Sequence, residues 1–234
     1  MPDRNLLLIP GTLCDAELWR HQIDHLGDVA KVHVGRHSLD DTAEAIAHRL
    51  LDEMPPGPFA MAGLSMGGYL ALTVMRIAPE RVSRLCLLDT SARADTPDQA
   101  KRRADLVALA QKGDFQGSTQ RMLPVFIHPD RLDEEPLRSN VMAMNKRVGL
   151  EAYLRQQSAN ASRIDERPYL AEIRCPTLVI CGRQDVLLPP EHSEELAAGI
   201  PGATLVYIEG CAHLPTMERP QATTALLRYW LLRD

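Results

Sequence analysis

Six short apolar runs, separated by stretches of helical length, constrain what this chain can fold into. They are Leu6–Ile9, Lys31–Val34, Phe59–Ala62, Leu85–Leu88, Thr177–Cys181 and Thr204–Ile208. Runs of this kind suit strands covered on both faces, which is the situation of parallel strands. Parallel neighbours need crossover connections, and the intervening segments supply them. Ala43, Ile46, Ala47, Leu50, Leu51 and Met54 share one helical face, with Asp41 and Glu44 read as an N-terminal capping pair. Ala222, Ala225, Leu226, Tyr229 and Trp230 repeat that spacing near the other end. The expected architecture is α/β: a doubly wound, mostly parallel sheet of about six strands with helices on both faces. A chain of 234 residues can bury one such core as a single domain.

Residues 91–170 break the alternation. They hold no apolar strand run, but do hold a helix-like Gln99–Gln111, a stretch with Met122, Phe126 and Ile127, and a helical Leu137–Ala159. Lys101-Arg102-Arg103 and Asp133-Glu134-Glu135 read as solvated faces.

Chemistry enters at Gly63-Leu64-Ser65-Met66-Gly67, between the apolar run at Phe59–Ala62 and a helical stretch from Gly68 to Ala78. A G-x-S-x-G between strand and helix makes a sharp turn that lifts the serine hydroxyl clear of the backbone. The glycines are expected because side chains there would collide across the turn, and because glycine tolerates strained φ/ψ. Two later strands each deliver a partner. Thr177–Cys181 leads into Gly182-Arg183-Gln184-Asp185, and Thr204–Ile208 leads through Gly210 to His213. A serine hydroxyl is a poor nucleophile until a base takes its proton, and a neutral histidine does so near pH 7. An aspartate fixes the imidazole tautomer and stabilises the imidazolium that forms. Asp89, just past Leu85–Leu88, is the rival acid. Asp185 is favoured because the resemblance drawn next more often places the acid in such a Gly-x-x-Asp turn after a strand.

With these residues in view, the chain resembles the α/β-hydrolase superfamily over essentially its whole length. Leu6–Asp15 with Trp19, the serine turn, Gly182–Asp185 and His213 carry the resemblance. It implies a catalytic triad of Ser65, Asp185 and His213. It also implies an oxyanion hole made by the backbone N–H groups of Thr12 and Met66. Relatives usually carry His-Gly where Pro10-Gly11 stands here, so Leu13 is the alternative donor should the loop shift by one residue. Two N-terminal strands of larger relatives are expected to be missing. The family inserts a helical cap at the place of residues 91–170. This divides the chain into a core of 1–90 with 171–234 and a cap of 91–170, in which Met122, Met142, Met144 and Tyr153 are candidates for the substrate pocket. The simpler alternative is a helical excursion that closes the sheet.

The remaining features narrow the class. A net charge of −5 argues against a nucleic-acid surface. Five cysteines, an odd number without Cys-x-x-Cys spacing, fit free thiols in a reducing, cytoplasmic compartment. Neither a signal peptide nor an apolar run of membrane-spanning length is expected. No metal-ligand spacing and no phosphate-binding loop is present, so no metal or cofactor is expected. Cys14 and Cys211 lie near the catalytic loops without basic partners, and His37 reads as an exposed loop histidine. The partner is a small-molecule ester or lactone, with no nucleic acid and no membrane; the oligomeric state is open. The resemblance implies a serine hydrolase working through an acyl-enzyme. The Gly11-to-Trp19 spacing and Asp15 are similar to the 3-oxoadipate enol-lactonase group. Carbon–carbon bond cleavage or acyl transfer on the same triad is the alternative. A ligand-binding receptor that keeps the triad without turnover is an alternative of another class.

Overall fold

The computed structural model describes residues 4–115 and 120–233. Residues 1–3, 116–119 and 234, which fall at the ends of the expected core and within the expected cap, lie outside the described residues. All six expected strands form: β1 (Asn5–Ile9), β2 (Lys31–Val34), β3 (Phe59–Leu64), β4 (Val82–Leu88), β5 (Thr177–Gly182) and β6 (Thr204–Ile208). They build one parallel sheet in the order β2-β1-β3-β4-β5-β6. Around it lie α1 (Arg20–Leu26), α2 (Ala43–Glu53), α3 (Met66–Ile77), α4 (Pro97–Leu109), α5 (Leu123–Phe126), α6 (Leu137–Ala161), α7 (Pro190–Gly199), α8 (Pro215–Glu218) and α9 (Pro220–Leu232).

Alternation along each strand divides the apolar residues between two layers. Leu7, Ile9, Met61, Leu85, Leu87 and Val179 pack with residues of α2, α3 and α7, among them Ile46, Leu70 and Leu196. Leu6, Leu8, Ala60, Ala62, Cys86 and Leu88 face the opposite layer, where Leu26 of α1 meets Leu227 and Leu231 of α9. Burying one such leucine or isoleucine stabilises the fold by roughly 1.5–3 kcal/mol before entropy is counted. That is why strands with almost no polar residues tolerate only this two-sided arrangement.

Three local expectations are corrected. The first turn of α2 is capped by Thr42, whose hydroxyl accepts from the Ala45 N–H, rather than by Asp41. The long helix α6 is interrupted at Gly149 (φ 76°, ψ 174°), a conformation that side-chain-bearing residues seldom adopt. Arg103 is not on a solvated face: its guanidinium grips Asp95 and donates to Gln157 Oε1 of α6.

The strand order reverses between β1 and β3, because β2 lies on one side of β1 and every later strand on the other. Ligands of open α/β sheets bind in the crevice beyond the carboxyl ends of the strands at such a switch point. The β1–α1 loop and the β3–α3 turn, with Ser65, occupy that place.

Candidate active site

Ser65 itself carries the strain of its turn. Its φ of 55° and ψ of −118° cost a residue with a side chain on the order of 1–3 kcal/mol. Hydrogen bonds over-determine the conformation: Ser65 N–H donates to Leu88 O (3.0 Å) and Thr90 Oγ1 donates to Ser65 O (2.6 Å). The flanking glycines serve close approach, and neither has a positive φ. A Cβ on Gly63 would sit 2.2 Å from Gly67 O, and one on Gly67 only 2.0 Å from Ile9 O. Thus one collision runs across the turn, as expected, and the other is with the neighbouring strand end.

Beyond β5, the turn from Gly182 closes with Asp185 N–H donating to Gly182 O (3.1 Å). The end of β5 is pressed against the histidine loop so tightly that a Cβ on Gly182 would lie 1.8 Å from Ala212 O. Gln184 joins the two loops twice, donating its N–H to Cys211 O (2.9 Å) and accepting from the Cys211 N–H (3.1 Å). The result is a hydrogen bond of 2.7 Å between His213 Nδ1 and Asp185 Oδ2, both residues being 3% exposed. Asp185 Oδ1 accepts from the Leu187 and Leu188 N–H groups (2.8 and 3.1 Å). With both carboxylate oxygens committed as acceptors, the imidazole proton belongs on Nδ1, which leaves Nε2 free to act as a base.

Asp89 does not reach His213. Its Oδ1 accepts from the Gly182 N–H (2.8 Å), while Oδ2 is buried without a partner. Burial, followed by the nearby charge of Asp185, pushes its pKa well above the ordinary carboxylate range. Asp89 thus lies behind the site in surroundings that favour its neutral form, and Asp185 is the carboxyl bonded to the histidine.

The β1–α1 loop lies against the serine: a Cβ on Gly11 would come within 3.3 Å of Ser65 Cβ. Among the described residues, neither the Thr12 nor the Met66 backbone N–H has a hydrogen-bond acceptor. Leu13, in the left-handed region at φ 58°, donates its N–H to Gln156 Oε1 (2.9 Å) and so is already committed. The Thr12 hydroxyl is 3.4 Å from Met66 Sδ, which brings the two residues side by side.

Other residues singled out in the sequence fall outside the chemistry. Cys14 and Cys211 are buried; burial holds the Cys14 thiol up to about 12 and the Cys211 thiol far above the usual range, so neither forms a thiolate. His37 is 3% exposed instead of lying in an open loop, and burial lowers its basicity. Met144 is fully buried in the apolar layer and Met122 is exposed. Tyr153 packs against Phe115, with ring centroids 5.0 Å apart and the planes tilted by 31°. Among the described residues, no three His, Cys, Asp or Glu side chains gather as a metal-ligand set, and no helix is long and apolar enough to cross a membrane.

One residue of consequence escaped the sequence reading. Glu218, at the end of α8 and 1% exposed, accepts hydrogen bonds from Ala212 N–H (2.9 Å), Leu214 N–H (3.3 Å) and His128 N–H (2.7 Å). It holds the backbone on either side of His213 and ties it to the segment after α5. Phe126 O reinforces the tie by accepting from the His213 N–H (3.1 Å). The only signal was an acidic residue five positions past the histidine, which spacing alone cannot tell from a solvated glutamate.

Comparison with known proteins agrees with this architecture. A family model described as the alpha/beta hydrolase fold matches residues 25–220. The pimeloyl-[acyl-carrier protein] methyl ester esterase of Neisseria meningitidis serogroup C is 27% identical over 194 residues, covering 81% of this chain and 74% of that protein. Among solved structures, a thermophilic esterase from Thermogutta terrifontis superposes with a TM-score of 0.89 at 30% identity, covering 98% of this chain and 90% of that one. The enol-lactonase from Burkholderia xenovorans superposes with a TM-score of 0.81 at 25% identity, covering 98% and 92%. A parallel sheet whose reversal point holds a strained serine, together with matches that run nearly end to end, makes this chain an enzyme of the α/β-hydrolase fold family.

Proposed function

We propose that this enzyme cleaves a carboxylic ester or lactone through an acyl-enzyme on Ser65, with His213 as general base and Asp185 as its orienting acid. The observation that carries the reading is the Asp185–His213 hydrogen bond of 2.7 Å, held two strands along the same sheet edge from a serine forced to φ 55°. The named activities of the esterase and enol-lactonase relatives support the same reaction class.

The steps follow from the residues. Ser65 Oγ attacks the carbonyl carbon while His213 Nε2 takes its proton, and Asp185 stabilises the imidazolium. Negative charge gathers on the former carbonyl oxygen, where the open Thr12 and Met66 N–H groups receive it; one such donor is worth roughly 3–4 kcal/mol of barrier. Collapse expels the alkoxide, which takes the proton from Nε2. Water then gives its proton to Nε2 as it attacks the acyl carbon, and that proton returns to Ser65 when the acid leaves. In a lactone the leaving alkoxide stays tethered to the acyl group.

Residues 91–170 serve in this reading as a cap over the serine, with the core formed by 1–90 and 171–234. Contacts of the segment after α5 with the histidine loop support that placement. Five cysteines without a disulfide among them support a reducing, cytoplasmic setting. The test is a panel of p-nitrophenyl esters and lactones against wild type and Ser65→Ala. Turnover that survives in Ser65→Ala, or its absence in wild type with every ester and lactone, overturns the assignment.

A further inference from the structure

The loop that carries Thr12 has one backbone hydrogen bond of its own, from Cys14 N–H to Gly11 O (3.1 Å). Leu13 occupies the left-handed region (φ 58°), where a branched side chain is disfavoured. The loop also lacks a solid wall on its outer side, where a cleft of about 440 Å³ is lined by Pro10, Cys14, Asp15, His37 and Arg147 among others. What holds it is α6. Asn145, before the break at Gly149, donates from Nδ2 to Leu13 O (2.9 Å). Gln156, after the break, accepts the Leu13 N–H at Oε1 (2.9 Å). One turn on, Asn160 Nδ2 donates to Thr12 Oγ1 (3.0 Å). Both backbone groups of the strained residue are thus satisfied by carboxamides approaching from the two arms of a broken helix.

The three amides are 4%, 0% and 5% exposed, respectively, deep enough that an unmet polar group would be costly. Gln156 is itself oriented. Because its Oε1 accepts from Leu13, its Nε2 must donate, and it lies 3.0 Å from His37 Nε2. The same His37 nitrogen lies 3.0 Å from Gly11 O, so the ring stands between Gln156 and the backbone of the loop. Uncharged groups that both give and accept suit this task, since a buried lysine or glutamate would have to find a counter-charge.

We propose that Asn145, Gln156 and Asn160 are positioning residues for the oxyanion hole: α6 holds the β1–α1 loop against Ser65 in the conformation that leaves the Thr12 N–H open. The inference rests on the ester-cleaving reading above, and it gives residues 91–170 a part in the chemical step besides substrate choice. Removing one of these amides loosens a donor of the transition state while leaving the donor in place. A misplacement near 1 Å costs on the order of a hundredfold, so the loss should be about 10- to 100-fold in kcat.

The experiment compares wild type, Ser65→Ala, Gln156→Leu, Gln156→Glu and Asn145→Leu on p-nitrophenyl acetate, butyrate and octanoate. It also measures inhibition by a trifluoromethyl ketone, whose serine adduct bears the oxyanion. Gln156→Leu and Asn145→Leu should lower kcat by the same factor for all three esters, with KM within about threefold. Affinity for the ketone should fall in step with kcat/KM. Gln156→Glu, which keeps an acceptor for the Leu13 N–H and has His37 beside it as a counter-charge, should recover most of the rate. Should Gln156→Leu fail to fold, Asn145→Leu and Gln156→Glu make the same comparison. Unchanged kcat in the leucine variants overturns the proposal. So does a loss that varies with chain length, or a loss of kcat without weaker ketone binding. Inactive wild type, or an active Ser65→Ala, would instead sink the ester-cleaving reading.

Discussion

Asp89→Asn should make this protein more stable, by an amount that grows with pH. Asp89 is fully buried, accepts one backbone hydrogen bond from Gly182 and has its second oxygen unpartnered beside the site. Burial first, then the charges of Asp185 and Glu218, hold its carboxyl protonated well above the usual range, and the Gly182 N–H only partly offsets them. The Cys181 and Cys211 thiols also face it, both kept neutral by burial. In the unfolded chain the same carboxyl ionises near pH 4. Between those two points unfolding releases a proton, so wild-type stability falls as pH rises, by at most about 1.36 kcal/mol per pH unit. Asparagine has the shape of the neutral acid, keeps an acceptor for Gly182 and does not titrate. Relative to wild type, the variant should therefore gain up to about 2.7 kcal/mol between pH 5 and pH 7. For a chain of this length that corresponds to roughly 5–10 °C in Tm. Thermal or urea melts of both proteins at the two pH values measure it. A difference that stays constant, or that shrinks as pH rises, would mean Asp89 is ionised in the folded protein, and the reasoning fails. Activity should stay within about tenfold of wild type, because His213 is bonded to Asp185 and not to Asp89.

A fluorophosphonate should add one mass increment to the peptide containing Ser65, and none to Ser65→Ala; labelling elsewhere would move the nucleophile. Asp185→Asn should lower kcat by about 10⁴-fold, the loss seen when a serine protease triad loses tautomer control, and a smaller effect than that of Asp89→Asn would reverse the two acids. Glu218→Ala strands the Ala212, Leu214 and His128 N–H groups and should destabilise by roughly 3–5 kcal/mol, read from urea melts. Glu218→Gln, which turns an amide donor toward one of those N–H groups, should lose about 1–3 kcal/mol. Met142→Ala or Tyr153→Ala should re-rank acyl chain lengths by several-fold and not by thousands, since a methylene in an apolar pocket is worth on the order of 1 kcal/mol.

What could be read in the sequence, and what could not, divides along a physical line. The strands were legible because burial on both faces demands an unbroken apolar run: Thr177–Cys181 and Thr204–Ile208 reappear with at most one residue added. Ser65, Asp185 and His213 stood out because each follows such a run, and parallel strands bring all their carboxyl ends to one edge. The polar framework that holds these residues was not legible. Glu218, Gln156 and Asn160 sit on helices, where spacing reports which face is apolar but not what a buried polar side chain bonds to. His37 was placed in solvent for the same reason: its partners, Gly11 and Gln156, lie 26 and 119 residues away. Arg103 was placed in solvent by its neighbours Lys101 and Arg102, although Asp95 and Gln157 draw it inward. Even the glycines of the serine turn were right for an incomplete reason, since Gly67 answers to Ile9 O on a strand that its own local sequence does not reveal. The places of Ser65, His213 and Asp185 are set by the order of strands, whereas the precision of their arrangement is set by contacts between segments far apart in the chain. If that division holds, substitutions among the buried amides of α6 should change the rate of the chemical step as much as many changes nearer Ser65.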